Sequence, residues 1–160
     1  MAQPVKKNIK ENIKPSKKIS KKGKRNHKEY GTSKLEEKFM HEFLDRLNIK
    51  YDYQYKAESI GRYFDFMVYG NEKNPHKRCA IEVDGDYWHS YNVLYEDMTP
   101  TQKRNKRVDE QKNRWCKHHS VTLIRIWEHD INNDPQGVMK FLKNHLEKYI
   151  RDKDDKRRDY

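Results

Sequence analysis

The chain has 160 residues, of which 33% are hydrophobic and 38% charged, so it has room for one small domain plus tails. No apolar run approaches the roughly 20 residues that a membrane helix needs, and no signal-peptide core follows Met1. The two cysteines, Cys79 and Cys116, lack the spacing of a disulfide framework or a zinc site. We therefore expect a cytoplasmic protein with no membrane partner and no structural zinc.

The positive charge is concentrated at the N-terminus. The formal net charge is +11, and residues 1–28 contain eleven Lys or Arg against one acid, Glu11. A like-charged segment with few large apolar residues cannot bury enough surface to fold, so we predict a flexible basic arm over 1–30. Nucleic acid is its expected partner, although a localisation signal or a solubility tail would have a similar composition. The predicted DNA contacts of the arm are Lys21, Lys22, Lys24 and Arg25.

The first predicted element is an amphipathic helix that begins at Ser33. Ser33 and Glu36 have the spacing of a capping box. The apolar stripe of this helix consists of Leu35, Phe39, Met40, Phe43, Leu44 and Leu47. Two strands follow, Tyr63–Tyr69 and Cys79–Asp84, joined by a polar loop over 70–78, and Tyr51–Tyr55 is a candidate edge strand.

The second half of the chain predicts a helix, a strand and a last helix. A long loop leads to the motif Thr-Pro-Thr-Gln at 99–102, a capping box with proline at the first helical position, which predicts a helix to about His119. A β-rich stretch follows at Val121–Trp127, and the Asp134-Pro135 pair caps a last helix. The apolar side of that helix consists of Val138, Phe141, Leu142, His145, Leu146 and Tyr149.

This order of elements predicts an α/β fold. We expect a single small domain over 31–150, in which helices flank a mixed central β-sheet. Residues 151–160 are mixed in charge, and we expect them to form a frayed C-terminal tail.

Asp65 is out of place in its predicted strand. It lies within the run Tyr63–Val68, where Asp has poor strand propensity and burial of a bare charge is expensive. A bound cation would compensate for that cost. A β-bulge or an ion pair with Arg62 would do so as well, and the pattern leaves these alternatives open.

The second strand adds two more carboxylates. Period-two alternation puts Ile81 and Val83 on one face, and Glu82 and Asp84 on the other. With the loop centred near position 74, antiparallel pairing brings Asp65 beside the end of this strand, with Val83 opposite. Three converging carboxylates repel one another, and a hard divalent cation such as Mg²⁺ resolves that repulsion because it prefers oxygen ligands. The alternative is a solvated sheet face, which fits Glu82 but explains Asp65 poorly.

Three further residues are candidates for the same site. Glu36 falls near the middle of the apolar arc of its helix, which fits either a capping partner or an inward-pointing site residue. His89 follows the acidic strand closely and could act as a general base or acid, although it could equally be an ordinary loop histidine. Asp109 lies on a helix rich in cations, which could grip phosphates or form a solvated face of alternating charge. The DNA contacts expected here are Lys103, Arg104, Lys106, Arg107, Arg114 and Trp88.

The pattern of these residues resembles a family of nucleases. Asp65 in a strand is followed by IEVDGDYWH at 81–89, by Asn105 and Asp109, and by LIRIWE at 123–128. This pattern is similar to the very-short-patch-repair endonucleases and closer still to the EDxHD homing endonucleases of phages and mobile introns. Both are branches of the PD-(D/E)XK nuclease superfamily. The resemblance covers about residues 33–131 and implies a restriction-endonuclease-like fold.

The resemblance also implies roles for individual residues. The implied metal ligands are Asp65, Val83 and Glu82, and the implied catalytic residues are Glu36, Asp65, Asp84, His89 and Asp109. Val83 would act through its main-chain carbonyl, so its side chain need not be polar. Asp84 stands where the superfamily usually has a lysine, which disfavours a lysine-based mechanism and favours His89.

The implied function is hydrolysis of DNA phosphodiester bonds by an endonuclease that uses Mg²⁺, for which Mn²⁺ can substitute. We expect a homing-type enzyme that acts on double-stranded DNA as a monomer or homodimer, in a bacterial or phage-infected cell. One alternative is mismatch-specific nicking in repair, since Tyr87 and Trp88 match aromatic residues that wedge beside a mismatch in the repair enzymes. The cysteine-rich zinc site of those enzymes is absent from this sequence. The other alternative is a non-catalytic DNA-binding protein on a degenerate nuclease fold.

Overall fold

The computed structural model of the protein describes residues 33–152. In chain order, its helices and strands are α1 (Lys34–Glu42), β1 (Lys50–Ala57), β2 (Arg62–Tyr69), β3 (Arg78–Asp84), α2 (Pro100–His118), β4 (Thr122–Trp127), α3 (Glu128–Asn133) and α4 (Pro135–His145). The predicted arm at 1–30 lies outside the described residues, as do residues 153–160 of the predicted tail. The arm contains the predicted DNA contacts Lys21, Lys22, Lys24 and Arg25.

The four strands form one sheet in the order β1-β2-β3-β4. β2 is antiparallel to both β1 and β3, whereas β3 and β4 are parallel, with α2 as the crossover between them. A parallel pair needs such a crossover because the chain must return to the end of the sheet at which the first strand began. The predicted mixed sheet is therefore confirmed. The candidate edge strand is confirmed as β1, which is longer than predicted.

Helices cover both faces of the sheet. On one face, α1 and α4 bury Phe39 and Leu142 against strand residues that include Phe66. On the other face, α2 buries Trp115, whose ring lies 5.2 Å from that of Phe64. Because apolar surface is removed from water on both sides, β3 is buried along almost its whole length. The prediction of an α/β domain with helices flanking the sheet is confirmed.

The predicted helix starts are also confirmed. At α2, the Thr99 hydroxyl accepts from the Gln102 N–H, the Gln102 side chain accepts from the Thr99 N–H, and Pro100 is the first helical residue. At α1, the Ser33 hydroxyl accepts from the Glu36 N–H at 3.1 Å. Such caps satisfy backbone donors that have no partner within the helix.

The register between β2 and β3 differs by one residue from the predicted one. Phe66 pairs with Ile81, which places Asp65 level with Glu82 rather than with Val83. The reason is the loop between the strands, which is centred between positions 73 and 74 instead of on position 74. Asp65 still lies beside the acidic end of β3.

Phe141 and His145 do not join the core as predicted. The buried stripe of α4 consists of Val138, Leu142 and Leu146, whose spacing of four residues keeps them on one line of the helix. Phe141 falls beside that line, is 39% exposed, and stacks on His145 with ring centroids 3.9 Å apart.

Two short segments add details that the sequence did not predict. Helix α3 has a single large apolar residue, Ile131, which is buried, so it offers little periodicity to recognise. Arg151, the first residue of the predicted tail, donates its N–H to the Asn48 carbonyl at 2.8 Å and is thus held to the domain. Among residues 33–152, no helix combines the length and the apolar character that crossing a membrane requires.

The packing of Phe66 predicts a large loss of stability on truncation. Phe66 is fully buried and contacts the rings of Phe39, Tyr51 and Tyr53. Phe66→Ala should lower the free energy of unfolding by about 3–5 kcal/mol, because it removes these contacts and leaves a cavity. The matched change Phe141→Ala should cost less than about 1 kcal/mol, since that ring is partly in water. Urea denaturation followed by circular dichroism measures both, and equal losses would contradict this description of the core.

Candidate functional site

Strands β1 and β2 are irregular where Gln54 faces Asp65. Phe66 packs on the α1/α4 face of the sheet, whereas Phe64, two residues earlier, packs on Trp115 of α2. Regular alternation would keep these two rings on one face. On β1, Gln54 has a φ of 55°, a backbone region that is uncommon for residues other than glycine. The register of β1 on β2 is the same on both sides of this point, so the strands are irregular here without the inserted residue of the β-bulge that was one alternative for Asp65.

Asp65 turns toward β3. Its Oδ2 accepts the Val83 N–H at 2.7 Å, whereas Arg62, the alternative partner, donates to a glutamine of α2. Burial raises the pKa of Asp65 well above its ordinary value, and the nearby carboxylates of Glu82 and Glu36 raise it further. A lysine of α2 and the Val83 N–H offset only part of this effect. An ionised Asp65 therefore needs an additional cation close by.

Glu36 takes part in the cap of its helix and also points its carboxylate toward the sheet. Its backbone N–H and its Oε1 both bond to the Ser33 hydroxyl, each at 3.1 Å. Its Oε2 accepts from the Tyr53 hydroxyl at 3.0 Å and from the Gln54 amide at 2.6 Å. Capping thus coexists with an orientation toward the irregular point of the sheet. All of these donors are neutral, so they fix the carboxylate without balancing its charge.

Glu82 is buried on the α2 face of the sheet, with 2% of its surface exposed. Its Oε2 accepts from Nζ of Lys112 at 2.6 Å. Its Oε1 is buried and has no hydrogen-bond partner in the range 33–152. Burial raises the pKa of Glu82, and Lys112 and Arg125 oppose that rise. The solvated-face alternative is therefore wrong, since a solvated carboxylate would not be enclosed in this way.

Asp84 is also buried, with 1% of its surface exposed. The Nη1 atom of Arg125 bonds to both of its carboxylate oxygens, at 3.0 and 2.9 Å. The Nη2 atom of the same guanidinium lies 3.4 Å from Oδ1 of Asp109. Burial by itself would lower the pKa of Arg125, but the charges of Asp84 and Asp109 outweigh it and raise that pKa. Arg125 thus links a strand carboxylate to a helix carboxylate.

His89 is held between two aspartates. Its Nδ1 lies 2.9 Å from Oδ2 of Asp109 and 3.6 Å from Oδ1 of Asp84. Burial would lower the pKa of His89, but the hydrogen bond to Asp109 and the charges of both aspartates outweigh it and raise that pKa. For Asp109, burial acts to raise the pKa, and the hydrogen bond from His89 and the charge of Arg125 lower it overall. The predicted trio of Asp84, His89 and Asp109 is therefore brought together.

The loop that carries His89 is fixed to α2. The side chain of Gln102 donates to the Tyr87 carbonyl at 2.6 Å, and that of Asn105 donates to the Trp88 carbonyl at 3.0 Å. One helix therefore supplies Asp109 and also positions the loop that presents His89.

Most of the predicted DNA contacts of the domain are exposed side chains of α2, the helix that also carries Asp109. Arg104, Lys106, Arg107 and Arg114 are exposed along α2, and Lys103 is half-buried. The Nζ atoms of Lys103 and Lys106 lie 5.1 and 5.6 Å from the ring centroid of Tyr95 in the preceding loop. Trp88 is 57% exposed and packs edge-on against Tyr87.

Sequence reasoning missed the parts played by Lys112 and Arg125. Lys112 is one of many cations on α2, and Arg125 lies inside the motif at 123–128. Two signals could have found them. Arg125 alternates with the buried Ile124 and Ile126 and pairs with Glu82 across the parallel strands. Lys112 is three residues after Asp109, so both lie on the same side of the helix.

The donors of this site suit a hard divalent cation. Within residues 33–152, no three or more His, Cys, Asp or Glu side chains stand in ready-made metal geometry. Oxygen donors are nevertheless in place, since Asp65 and Glu36 have no ion-pair partner in that range and Glu82 Oε1 has no partner of any kind. An orphaned buried carboxylate oxygen next to a second carboxylate is the chemistry that Mg²⁺ accepts.

Comparisons with protein-family models, with curated proteins and with solved structures gave no match to this chain. What the site can do is therefore argued from its own contacts. Asp65 and Glu36 have no cationic partner in the range 33–152, and His89 is held by two aspartates.

The pair of His89 and Asp109 predicts a pH-dependent contribution to stability. Asp109→Asn should lower the pKa of His89, which an NMR titration of the imidazole signals measures. A raised histidine pKa stabilises the fold below about pH 6.5 and ceases to do so as the pH rises through the folded value, whereas a lowered aspartate pKa stabilises it above about pH 4. The stability difference between wild type and variant should therefore be largest between those two values. Asp45→Asn, which removes the partner of the exposed His41, should leave the His89 titration unchanged.

Proposed function

We propose that this protein is a metal-dependent DNA endonuclease that hydrolyses phosphodiester bonds. One observation carries the proposal: two carboxylates without a cationic partner in the range 33–152, Asp65 and Glu36, lie near each other, and Asp65 also lies near Glu82. Two residues further along the same face of β3, Asp84 is one of the two aspartates that hold His89. The carboxylates suit a divalent ion, and the histidine suits proton transfer. Hydrolysis of a phosphodiester uses both, because charge develops on the phosphate and a leaving oxygen must be protonated.

The residues that would hold the ion are Asp65, the Val83 carbonyl and Glu82. Mg²⁺, for which Mn²⁺ can substitute, supplies polarisation of the phosphate and stabilisation of the leaving oxygen when bound. Glu36, whose two oxygens are fixed by three neighbouring side chains, would orient the attacking water.

His89 would transfer a proton to the leaving oxygen. Its Nδ1 is engaged by Asp109, so the other ring nitrogen, Nε2, is the one that can reach the substrate. The two aspartates raise the pKa of His89 and so favour its proton-donating form. Arg125 would keep both aspartates in place through its contacts at 2.9 and 3.4 Å.

The exposed cations of α2 would hold the DNA backbone. Arg104, Lys106, Arg107 and Arg114 project from the helix that also carries Asp109, so phosphates bound there would lie near the site. Such contacts set the position of the duplex without reading its sequence. The basic arm at 1–30 would add salt-dependent affinity through counterion release.

The class of enzyme that we propose is an EDxHD homing-type endonuclease of the PD-(D/E)XK superfamily. The resemblance supports it, and so does an α/β domain in which the motif residues fall on β2, β3, the following loop and α2. Mismatch-specific nicking is the second candidate. It is favoured by the exposure of Tyr87 and Trp88, 62% and 57%, in the loop that carries His89.

Plasmid cleavage tests the proposed function. Wild-type protein with Mg²⁺ should nick or linearise plasmid that carries a library of genomic inserts, and EDTA should stop the reaction. Asp65→Asn should abolish cleavage because it removes the central carboxylate, and His89→Ala should slow it by about 10²–10⁴-fold. The matched control Asp52→Asn changes an exposed carboxylate on the neighbouring strand and should cut like wild type.

Three results would contradict the proposal. They are equal cutting by wild type and Asp65→Asn, cutting in the presence of EDTA, and salt-dependent DNA binding without cleavage. The last would identify a non-catalytic DNA-binding protein. A comparison of a T·G duplex with its matched form distinguishes mismatch repair from homing.

A further inference from the structure

Lys112 is a fixed part of the acidic site rather than a mobile surface lysine. Its side chain is only 11% exposed, and its Nζ lies 2.6 Å from Oε2 of Glu82. The same Nζ lies 5.4 Å from the ring centroid of Phe64, a residue of β2. A buried lysine held on two sides keeps its charge at one place.

The carboxylates of the site divide into balanced and unbalanced groups. Within residues 33–152, Glu82 is balanced by Lys112, Asp84 by Arg125, and Asp109 by its contacts with Arg125 and His89. Asp65 and Glu36 receive hydrogen bonds only from neutral groups, namely one backbone N–H for the former and hydroxyl and amide donors for the latter. When both are ionised they carry two negative charges, which one divalent ion balances.

Glu82 connects the two groups. Its Oε1 is buried without a partner in the described range, while its Oε2 is committed to Lys112. Oε1 is the oxygen that would help to hold the first ion, so a second ion would have to take the oxygen that Lys112 occupies and lie against the lysine charge. A divalent ion and a lysine ammonium group repel each other strongly when they lie a few ångströms apart with little water between them.

We infer that Lys112 is a resident cation that takes the place of a second metal ion, so that the site binds a single divalent ion on Asp65. This inference rests on the proposed metal-dependent function, and it assigns to Lys112 the control of how many ions the site accepts. Lys112 acts through Glu82 and is a positioning residue. Its charge also bears on Asp65, where it favours the ionised form.

The test counts bound Mn²⁺ by electron paramagnetic resonance on the full-length chain without DNA, with Asp65→Asn as the background. Wild type should bind one ion above that background. Lys112→Met should bind two, because Glu82 then has both oxygens available and no balancing charge. Lys112→Met combined with Glu82→Gln should return the count to one. Lys117→Met, an exposed lysine of the same helix, should bind one ion like wild type.

A second comparison does not depend on the folding of Lys112→Met. In Glu82→Gln, Lys112 loses its partner and its charge acts unopposed on Asp65, so Mn²⁺ should bind about tenfold or more weakly than in Glu82→Gln combined with Lys112→Met. Equal affinity in these two variants would overturn the inference, whether or not Glu82 is itself a ligand.

The outcomes separate the inference from the function on which it rests. Two ions in wild type, or one ion in folded Lys112→Met, would overturn the role of Lys112 and leave the metal site standing. No ion in wild type above the Asp65→Asn background would overturn the proposed metal dependence and the inference with it.

Discussion

The structure depends on the burial of two carboxylates on one face of β3. Glu82 and Asp84 are 2% and 1% exposed, and a buried carboxylate without compensation is among the costliest groups in a protein. The compensating cations come from elsewhere in the chain, Lys112 from α2 and Arg125 from β4. The position of the crossover helix over the sheet and the parallel pairing of β4 with β3 are therefore tied to the charges of the site as well as to apolar packing.

Because of that constraint, the same elements both stabilise the fold and form the site. Helix α2 packs Trp115 on the sheet, supplies Lys112 and Asp109, and fixes the loop of His89 through Gln102 and Asn105. The irregular point at Gln54 and Asp65 also contributes to the site, because there the Asp65 carboxylate of β2 turns toward the backbone of β3. Functional sites are the places where local rules of regular structure are broken and the surroundings compensate. Here the compensation is specific, with one cation for each buried carboxylate of β3.

The site has two halves with different chemistry. In one half, neutral donors hold Asp65 and Glu36, so the negative charge of these carboxylates is not balanced. In the other half, positive and negative side chains balance one another in a network of Asp84, Asp109, His89 and Arg125. The carboxylates of Asp65 and Glu36, whose charge is not balanced, attract an external cation. The network of charged groups around His89 holds its titratable ring in one orientation. The nuclease chemistry that we propose would use both properties, and the exposed cations of α2 lie on the helix that carries Asp109.

The sequence by itself determined the elements other than α3, the mixed sheet and the identity of most of the clustered residues. Helix caps at Ser33 and Thr99 and the alternation along β3 depend on residues close in the chain, so local patterns suffice to find them. Asp65 could be recognised because a charge within an apolar strand is anomalous wherever the strand lies. Tertiary structure alone decided the register of β2 on β3, which differs by one residue from the predicted one. It also decided the exposure of Phe141 and the pairing of Glu82 with a lysine 30 residues away. The physical reason is that these outcomes depend on how a loop closes and how α2 crosses the sheet, which set distances between residues that no local pattern relates.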